Sequence, residues 1–380
     1  MKLAVVANTG WYVFNFRRNL IAELRRAGHD VIVVAPPDDY CDRMQRAGVE
    51  VHNFPLNASG TNPWRELASV LALRRILRDK AVDMVLSYTP KGNLYAAMAM
   101  SGLSCRQIAN VSGLGRAFVQ RGLLTSLVRL LYRFAFRRAS WVFFQNDDDR
   151  RAFLEAGLVD PEKSERIPGS GVDLTRFAPV PLPSSRAVDS SSAPVTFLLI
   201  ARMLWDKGVG DFVEAARYVR EQRPSARFRL LGFLDPDHPS GVPRKTMDAW
   251  IEENVIEYLG TTDDIRPSIA NADCVVLPSF YREGVPRSLL EAAAMGRPLI
   301  TTDSVGCRDA VTDGTTGFLV PPRAVPVLVD RLIQVVDMPS ARREGMGLQG
   351  RAKMEREFAE QIVIKRYLDL LSRPEFTRGR

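Results

Sequence analysis

The chain has 380 residues, of which 46% are hydrophobic and 25% charged, with 52 Lys/Arg against 44 Asp/Glu. This length predicts two domains of an ordinary globular protein, and four cysteines without a C-x-x-C pair and three scattered histidines exclude a disulfide framework and a histidine-based zinc site. The first apolar run is too short for a signal peptide and no run approaches the roughly 20 residues of a membrane span, so we expect a cytoplasmic protein.

The first half of the chain alternates between apolar runs and helical patterns. Residues 2–8 predict a strand, residues 15–27 a helix that Gly28 ends, and residues 30–36 the next strand. Further helices are predicted near 38–47, 63–79, 92–101, 123–138 and 147–156, with apolar strands between them. This alternation predicts a doubly wound parallel sheet, although the first turn, at residues 8–11, lacks the G-x-G-x-x-G pattern of dinucleotide binders.

The second half repeats the pattern after a Pro- and Ser-rich stretch at 178–194, which predicts a linker. Residues 195–202 predict a new first strand, and helices are predicted at 209–222, 243–253, 325–338 and about 341–372. We therefore predict an α/β fold of two Rossmann-like doubly wound parallel sheets that face each other across a cleft. The expected bounds are 1–180 for the first domain, 181–194 for the linker and 195–357 for the second domain, with 358–380 packing back on the first.

The segment 274–302 carries the clearest chemical pattern. A short valine-rich strand ends at Pro278, a polar loop with Glu283 follows, and a helix with Glu291 begins near Pro286. Open α/β sheets bind ligands at the carboxyl ends of their strands, where helix N-termini favour phosphate. Carboxylates at such a place can accept hydrogen bonds from the diol of a ribose or sugar. The alternative is that both glutamates are solvated surface residues.

Several further segments occur in a characteristic order. They are ARMLWDKGV at 201–209, EGVPRSLLE at 283–291, IPGSGVDLTRF at 167–177, FFQNDDDRRAF at 143–153 and DGTTGFLVPP at 313–322. Together they resemble the family-4 retaining glycosyltransferases, which have the two-Rossmann B-type fold. The resemblance covers nearly the whole chain and is strongest over 167–322.

The resemblance implies roles for residues of the second domain. Arg202, Lys207 and Glu283 would act in catalysis: the two cations would stabilise the charge of a leaving nucleotide diphosphate, and Glu283 would contact the donor sugar. The expected donor-binding residues are Gly10, Gly232, Gly284, Val285, Pro286, Arg287 and Glu291, with Glu291 on the ribose hydroxyls. The alternative for Arg202 and Lys207 is a surface salt bridge. Neither a metal nor a cofactor is expected, because the acidic clusters at 147–149 and 235–237 are better explained as a helix start and a loop.

The acceptor side departs from the family pattern. Many relatives have a histidine after the fourth strand, whereas this chain reads Ser-Tyr-Thr-Pro-Lys-Gly at 87–92. In the retaining front-face mechanism that the resemblance implies, a donor phosphate oxygen can take the proton instead. Residues 88–99 and 110–118 look like bacterial transferases that extend polyprenyl-diphosphate-linked sugars, including N-acetylhexosaminyl transferases. We expect Tyr88, Lys91 and Arg116 to bind the acceptor.

The basic excess lies entirely in the first half. Residues 1–185 contain 25 Lys/Arg and 17 Asp/Glu, and no acidic residue occurs between Asp83 and Asp147. Within 121–138 four arginines recur at multiples of four: Arg121, Arg129, Arg133 and Arg137. Leucines and Phe134 cover the other side. This pattern is typical of a helix that lies on an anionic bilayer, which would make the protein peripheral on the inner face of the cytoplasmic membrane. An ordinary domain helix with a leucine core face is an equal alternative.

The sequence thus predicts a glycosyltransferase that moves a sugar, with an N-acetylhexosamine as the candidate, from a nucleotide donor of the UDP type. The acceptor would be a polyprenyl-diphosphate-linked sugar or another cell-envelope glycan. The alternative is a sugar-nucleotide epimerase on the same scaffold, which the scarcity of histidine disfavours. A nucleic-acid partner is disfavoured because the basic stripe lacks interleaved aromatics and a recognised binding motif.

Overall fold

The computed structural model describes residues 1–56, 62–113, 123–185 and 194–377, and the side chains within them except those of 123–129 and 377. The chain forms two compact units. The first comprises Met1–Ser170 with Gln361–Arg380, and the second comprises Gly171–Glu360.

The first unit contains a sheet of seven strands, all parallel. The strands are β1 (Lys2–Val6), β2 (Asp30–Ala35), β3 (Glu50–Asn53), β4 (Met84–Tyr88), β5 (Arg106–Val111), β6 (Trp141–Phe144) and β7 (Ser164–Arg166). Their order is β3-β2-β1-β4-β5-β6-β7. The central strands are continuous valine-, isoleucine- and leucine-rich runs because helices cover both faces of the sheet. The predicted doubly wound sheet is confirmed.

Helices connect the strands of this unit. They are α1 (Gly10–Phe16), α2 (Arg18–Arg26), α3 (Asp39–Arg46), α4 (Pro63–Asp79), α5 (Pro90–Ala99), α6 (Leu123–Arg138) and α7 (Asp147–Glu155). The single helix expected at 15–27 is wrong. Thr9 caps a helix that begins five residues earlier, since its Oγ1 accepts a hydrogen bond from the N–H of Tyr12 at 3.1 Å. The chain then breaks at Arg17, whose φ of −129° is not helical.

The C-terminal helix belongs to the first unit. The helix expected over 341–372 is in fact α13 (Ser340–Lys353), a π-helical turn (Met354–Phe358) and α14 (Glu360–Leu371), followed by the short α15 (Pro374–Thr377). The break at Ala359, where ψ is 133°, lets the chain leave the second unit. Tyr367 of α14 is then completely buried against Phe143, with 4.8 Å between ring centroids.

The second unit has six parallel strands. They are β8 (Thr196–Ile200), β9 (Arg227–Leu231), β10 (Glu257–Tyr258), β11 (Cys274–Leu277), β12 (Leu299–Thr302) and β13 (Gly317–Val320). Their order is β10-β9-β8-β11-β12-β13. Besides α13, the helices are α8 (Val209–Gln222), α9 (Arg244–Glu252), α10 (Arg266–Ala270), α11 (Arg287–Ala294) and α12 (Val325–Asp337). The strand order reverses between β8 and β11, which is the switch point where such sheets bind ligands.

The boundary between the units lies at Ser170–Gly171, ten residues before the expected end of the first domain. Side chains of the second unit hold the following segment. Arg351 donates to the carbonyls of Leu174 and Phe177, at 3.2 and 2.9 Å. Arg297 donates to the carbonyl of Val180 at 2.8 Å. The expected linker therefore begins on the second unit, and its residues 186–193 lie outside the described part of the chain.

We predict that removing the Tyr367 ring destabilises the first unit strongly. Tyr367→Ala should lower the free energy of unfolding by about 3–5 kcal/mol, because a fully buried aromatic leaves a cavity. Tyr367→Phe keeps the ring and deprives Asn110 Nδ2 of an acceptor at 3.2 Å, which should cost about 1 kcal/mol. Urea unfolding of both variants is followed by tryptophan fluorescence, to which Trp141, packed beside Phe143, contributes as one of five tryptophans. Equal effects of the two substitutions would contradict the packing role.

Candidate active site

The loop after β8 carries Lys207 to the carboxyl end of β11. A three-residue 3-10 turn, Trp205–Lys207, is followed by Gly208 with φ +74°. A Cβ at Gly208 would overlap the carbonyl oxygen of Pro278, so another residue would push the two loops apart. The close approach of these two backbones therefore depends on glycine, and it determines where Lys207 lies.

Lys207 and Glu283 meet at this strand end. The Nζ of Lys207 donates to Oε1 of Glu283, and Ser279 Oγ donates to the same oxygen at 3.0 Å. The two charged side chains are only 16% and 12% exposed. The alternative of a solvated surface residue is therefore wrong for Glu283, because the Lys207–Glu283 pair is largely buried. Reduced access of water strengthens the attraction of each charge for its partner and for an incoming ligand.

The main-chain carbonyl of Asp206 holds the two loops together. It accepts hydrogen bonds from the N–H groups of Phe280 and Tyr281, both at 3.1 Å. Asp206 directly precedes Lys207, and these two donors lie in the loop that leads to Glu283. The geometry of the Lys207–Glu283 pair is thus built into backbone hydrogen bonds.

The loop after β12 forms the third side of the site, and the sequence reasoning missed it. Gly306 has φ +81°, and a Cβ there would overlap the carbonyl oxygen of Gly284. Thr302 Oγ1 and Ser304 Oγ both donate to the carbonyl of Ser279, the latter at 3.1 Å. The signal was present in the sequence, because two threonines end the buried strand and Ser304 and Gly306 follow it.

Cys307 lies buried behind this loop. Burial raises the pKa of its thiol to about 11, and the negative charge of Glu283 acts in the same direction. A thiol with that pKa is protonated near neutral pH, so Cys307 is not an activated nucleophile.

Glu291 lies one turn into α11, the helix that begins at Arg287 after the capping residue Pro286. Arg287 Nε and Nη2 both donate to Glu291 Oε1 at 3.0 Å. Burial raises the pKa of the Glu291 carboxyl, while the charge of Arg287 acts in the opposite direction. Arg287, predicted as a donor contact, therefore orients Glu291 through its side chain. Gly284 and Val285 lie in the same loop, and Val285 is buried.

Arg202 lies at the start of the loop after β8, apart from the Lys207–Glu283 pair. Its side chain is 53% exposed, and its Nη1 lies 4.0 Å from Asp235. Among the described residues it makes no hydrogen bond to Lys207 or Glu283. Gly232 follows β9 with φ +145°, and a Cβ there would overlap the carbonyl of Ala201. Gly232 thus permits the loop after β9 to approach the backbone of Ala201, the residue that precedes Arg202.

The predicted acceptor residues lie in the first unit, and the structure corrects one of them. Tyr88 is fully buried, with the Arg17 guanidinium 4.2 Å above its ring, so it cannot contact an acceptor directly. Lys91 is partly exposed, and its Nζ lies 3.0 Å from Oε1 of Glu66. Gly10 begins α1 against Asp38 and Cys41.

The predicted basic stripe is described only in part. Arg116 and Arg121 lie outside the described residues, as does the side chain of Arg129. Arg133 and Arg137 are exposed on α6.

Two family models match the chain. One, described as glycosyl transferases group 1, matches residues 194–338, and one, described as a glycosyl transferase 4-like domain, matches residues 15–170. The chain therefore belongs to the glycosyltransferase family that these two models describe. The matches cover the β8, β9 and β11–β13 strand ends described above, and they confirm the family expected from the motifs.

Relatives and solved structures agree with this assignment. The glycosyltransferase is 27% identical over 385 residues to the N,N'-diacetylbacillosaminyl-diphospho-undecaprenol alpha-1,3-N-acetylgalactosaminyltransferase of Campylobacter jejuni, covering 98% of this chain and 99% of that protein. It is 25% identical to the UDP-Gal:alpha-D-GlcNAc-diphosphoundecaprenol alpha-1,3-galactosyltransferase of Escherichia coli, over 80% of this chain and 78% of that one. HepE of Anabaena, solved with UDP and glucose, superimposes with a TM-score of 0.81 at 19% identity, over 98% and 99% of the two chains. The expected B-type fold is confirmed.

Within the described residues, no helix of the glycosyltransferase combines the length and the hydropathy that a membrane crossing requires.

We predict that the buried Glu291 carboxyl makes stability depend on pH. Because its folded pKa is raised, the folded state binds this proton more tightly than the unfolded state does. Relative to Glu291→Gln, the wild type should therefore gain stability as the pH falls from 7, and the gain should be complete below the ordinary value of 4.5. Urea unfolding of both proteins between pH 4 and 8 measures the difference. A difference that is constant, or that shrinks on acidification, would contradict the effect of burial.

Proposed function

We propose that this glycosyltransferase moves a sugar from a nucleotide diphosphate to a polyprenyl-diphosphate-linked sugar, with retention of the anomeric configuration. Full-length similarity to the Campylobacter N-acetylgalactosaminyltransferase, which acts on a diphospho-undecaprenol-linked sugar, is the observation that carries the acceptor class. An N-acetylhexosamine is the proposed sugar and UDP the proposed carrier. The Escherichia coli relative named for UDP-Gal supports that carrier.

Lys207 and Arg202 are the proposed partners of the donor diphosphate. The Lys207–Glu283 pair supports this role because the ammonium group is held in place and shielded from water before any ligand binds. A diphosphate bound at the amino end of α11 would share Lys207 with Glu283 and would also lie at the positive end of the helix dipole. When the bond between the sugar C1 and the phosphate oxygen breaks, the diphosphate gains negative charge. Fixed cations then stabilise the transition state more than the ground state.

Glu283 and Glu291 are the proposed hydroxyl acceptors. Glu283 Oε1 is occupied by Lys207 and Ser279, so its carboxylate is oriented and its second oxygen would accept from a donor sugar hydroxyl. Glu291 is oriented by Arg287 in the same way and would accept from the ribose diol. Both assignments use a carboxylate with one oxygen anchored by a cation, which fixes the direction of the other.

Retention would follow from attack on the same face as the leaving group. The acceptor hydroxyl oxygen forms the new bond to C1 as the C1–phosphate bond breaks, and its proton passes to the departing phosphate oxygen. This step requires no side-chain base, which fits the absence of a histidine from residues 87–92. We propose that neither a metal nor a cofactor takes part, because the cations named above supply the positive charge.

Substitution of the buried pair tests the site. Lys207→Met and Glu283→Gln should each lower kcat by about 10²–10³-fold, the scale of losing one preorganised electrostatic contact. Lys353→Met is the matched control, since Lys353 makes a 2.8 Å ion pair with Glu357 elsewhere in the second unit. Release of UDP from UDP-N-acetylhexosamine is measured with and without a lipid-linked sugar acceptor. Wild-type rates in both site variants would refute the assignment, and donor conversion without acceptor would indicate an epimerase.

The reaction course provides a second test. We expect EDTA to leave the rate unchanged, and we expect the product to have the anomeric configuration of the donor, as read by the coupling constant of the anomeric proton. An inverted product would refute the proposed mechanism. Loss of activity in EDTA that added Mg²⁺ or Mn²⁺ restores would refute metal independence.

A further inference from the structure

Helix α4 exposes large apolar side chains along one side. Trp64, Leu67 and Leu71 follow helical spacing, and Trp64 is 80% and Leu71 55% exposed. Its core side is formed by Val70, Leu73 and Leu77, all buried. The helix is thus apolar on two sides, and only one of them faces the protein.

Helix α6 shows the same feature. Leu130 is 63% exposed and Phe134 lies one turn further on, also exposed, while Tyr132 and Phe136 fill the core side. Phe134 also packs under the guanidinium of Arg138, at 4.1 Å. The possible core role of Leu130 and Phe134 therefore does not hold. They lie on the outside, next to exposed arginines.

The two helices belong to one layer. Helix α5 packs against both α4 and α6 and exposes Met98 between them. Arg74 of α4 donates to the carbonyl of Ala99 at 2.9 Å, and Arg138 of α6 reaches Ser101 Oγ at 3.4 Å. Helices α4, α5 and α6 lie in the successive connections β3–β4, β4–β5 and β5–β6, which all run in the same direction across the sheet. Because such crossovers are right-handed, the three helices lie on one face of the sheet. We call this outer surface of α4, α5 and α6 the α4–α6 face.

The charges beside the apolar residues are positive. Arg65, Arg75, Arg78, Arg133 and Arg137 are exposed on α4 and α6. The acids of α4 are paired: Glu66 with Lys91, and Asp79 with Arg75 and Arg78. Exposed apolar patches mark interaction sites, and arginines that keep their heads in water beside an aromatic rim suit a lipid headgroup layer.

We propose that the α4–α6 face rests on an anionic bilayer, with Trp64, Leu67, Leu71, Leu130 and Phe134 entering the headgroup boundary. The arginines then meet acidic headgroups, an arrangement that lipid surfaces favour. The inference deepens the proposed function, because a polyprenyl-linked acceptor lies in such a bilayer. It adds α4 as a contact that the basic pattern of α6 alone did not indicate.

Vesicle sedimentation of the full chain tests this face. The probes are vesicles of phosphatidylcholine alone and with 30 mol% phosphatidylglycerol. Trp64→Ser/Leu67→Ser/Leu71→Ser and, separately, Leu130→Ser/Phe134→Ser should each lower the partition coefficient on the acidic vesicles at least tenfold. Ile251→Ser/Leu348→Ser in the second unit is the matched control, because Leu348 is 61% exposed, as Leu130 is 63% exposed. The control should bind as the wild type does.

Several results would overturn the inference. They are wild-type partition of the α4 variant, an equal loss in the control, or equal wild-type binding to neutral and acidic vesicles. All variants alter exposed side chains, so unchanged thermal unfolding is expected and is measured alongside. With a short water-soluble prenyl-diphosphate-linked acceptor the α4 variant should keep the wild-type rate. Failure of the wild type to use that acceptor would count against the proposed function and would leave the vesicle result to decide the membrane inference.

Discussion

The second unit depends on backbone approaches that only glycine permits. Gly208 lies against the carbonyl of Pro278 and Gly306 against that of Gly284, so three strand-end loops meet closely. Their contact aligns the Asp206 carbonyl with its donors and brings Lys207 to Glu283. Holding two charges away from water is costly unless their geometry is good. A preformed pair favours catalysis where a ligand supplies further charge, because the charged side chains then need little reorganisation when the reaction takes place.

The first unit also contains a buried charge, the guanidinium of Arg17. Arg17 is almost completely buried, and the partners found for its side chain are the hydroxyl of Tyr12, at 2.9 Å, and the ring of Tyr88. Burial lowers the pKa of Arg17, but the neighbouring tyrosines, Tyr367 among them, outweigh it and raise the pKa overall. Cation–π contact stabilises a desolvated guanidinium. Because Tyr367 arrives from the C-terminal helix, this cluster gives the returning chain end a fixed place in the first unit.

The predictable part of the structure follows from local pattern. Valine-rich runs identify buried parallel strands, and the run at 274–277 with its loop and helix places Glu283 and Glu291 correctly on one strand–loop–helix segment. Local pattern does not predict tertiary contacts. Tyr88 ends a strand, but it is buried because Arg17, which is distant in sequence, lies over its ring. The Arg287–Glu291 bond was within reach, since i,i+4 pairs of opposite charge interact on a helix. The start of α1 was missed because Thr9 was not recognised as a cap.

Helix α4 shows why periodicity alone misjudges a surface. A helix that is apolar on more than one side is usually assigned to a core. The sheet order places α4 on the outside of the first unit, where its second apolar side has no described protein layer over it. Residues 1–185, which include that unit except its C-terminal segment, hold the entire net charge of +8. Exposed apolar side chains cost free energy in water, and clustered positive charges repel one another. Both become favourable at a boundary that is apolar on one side and acidic on the other.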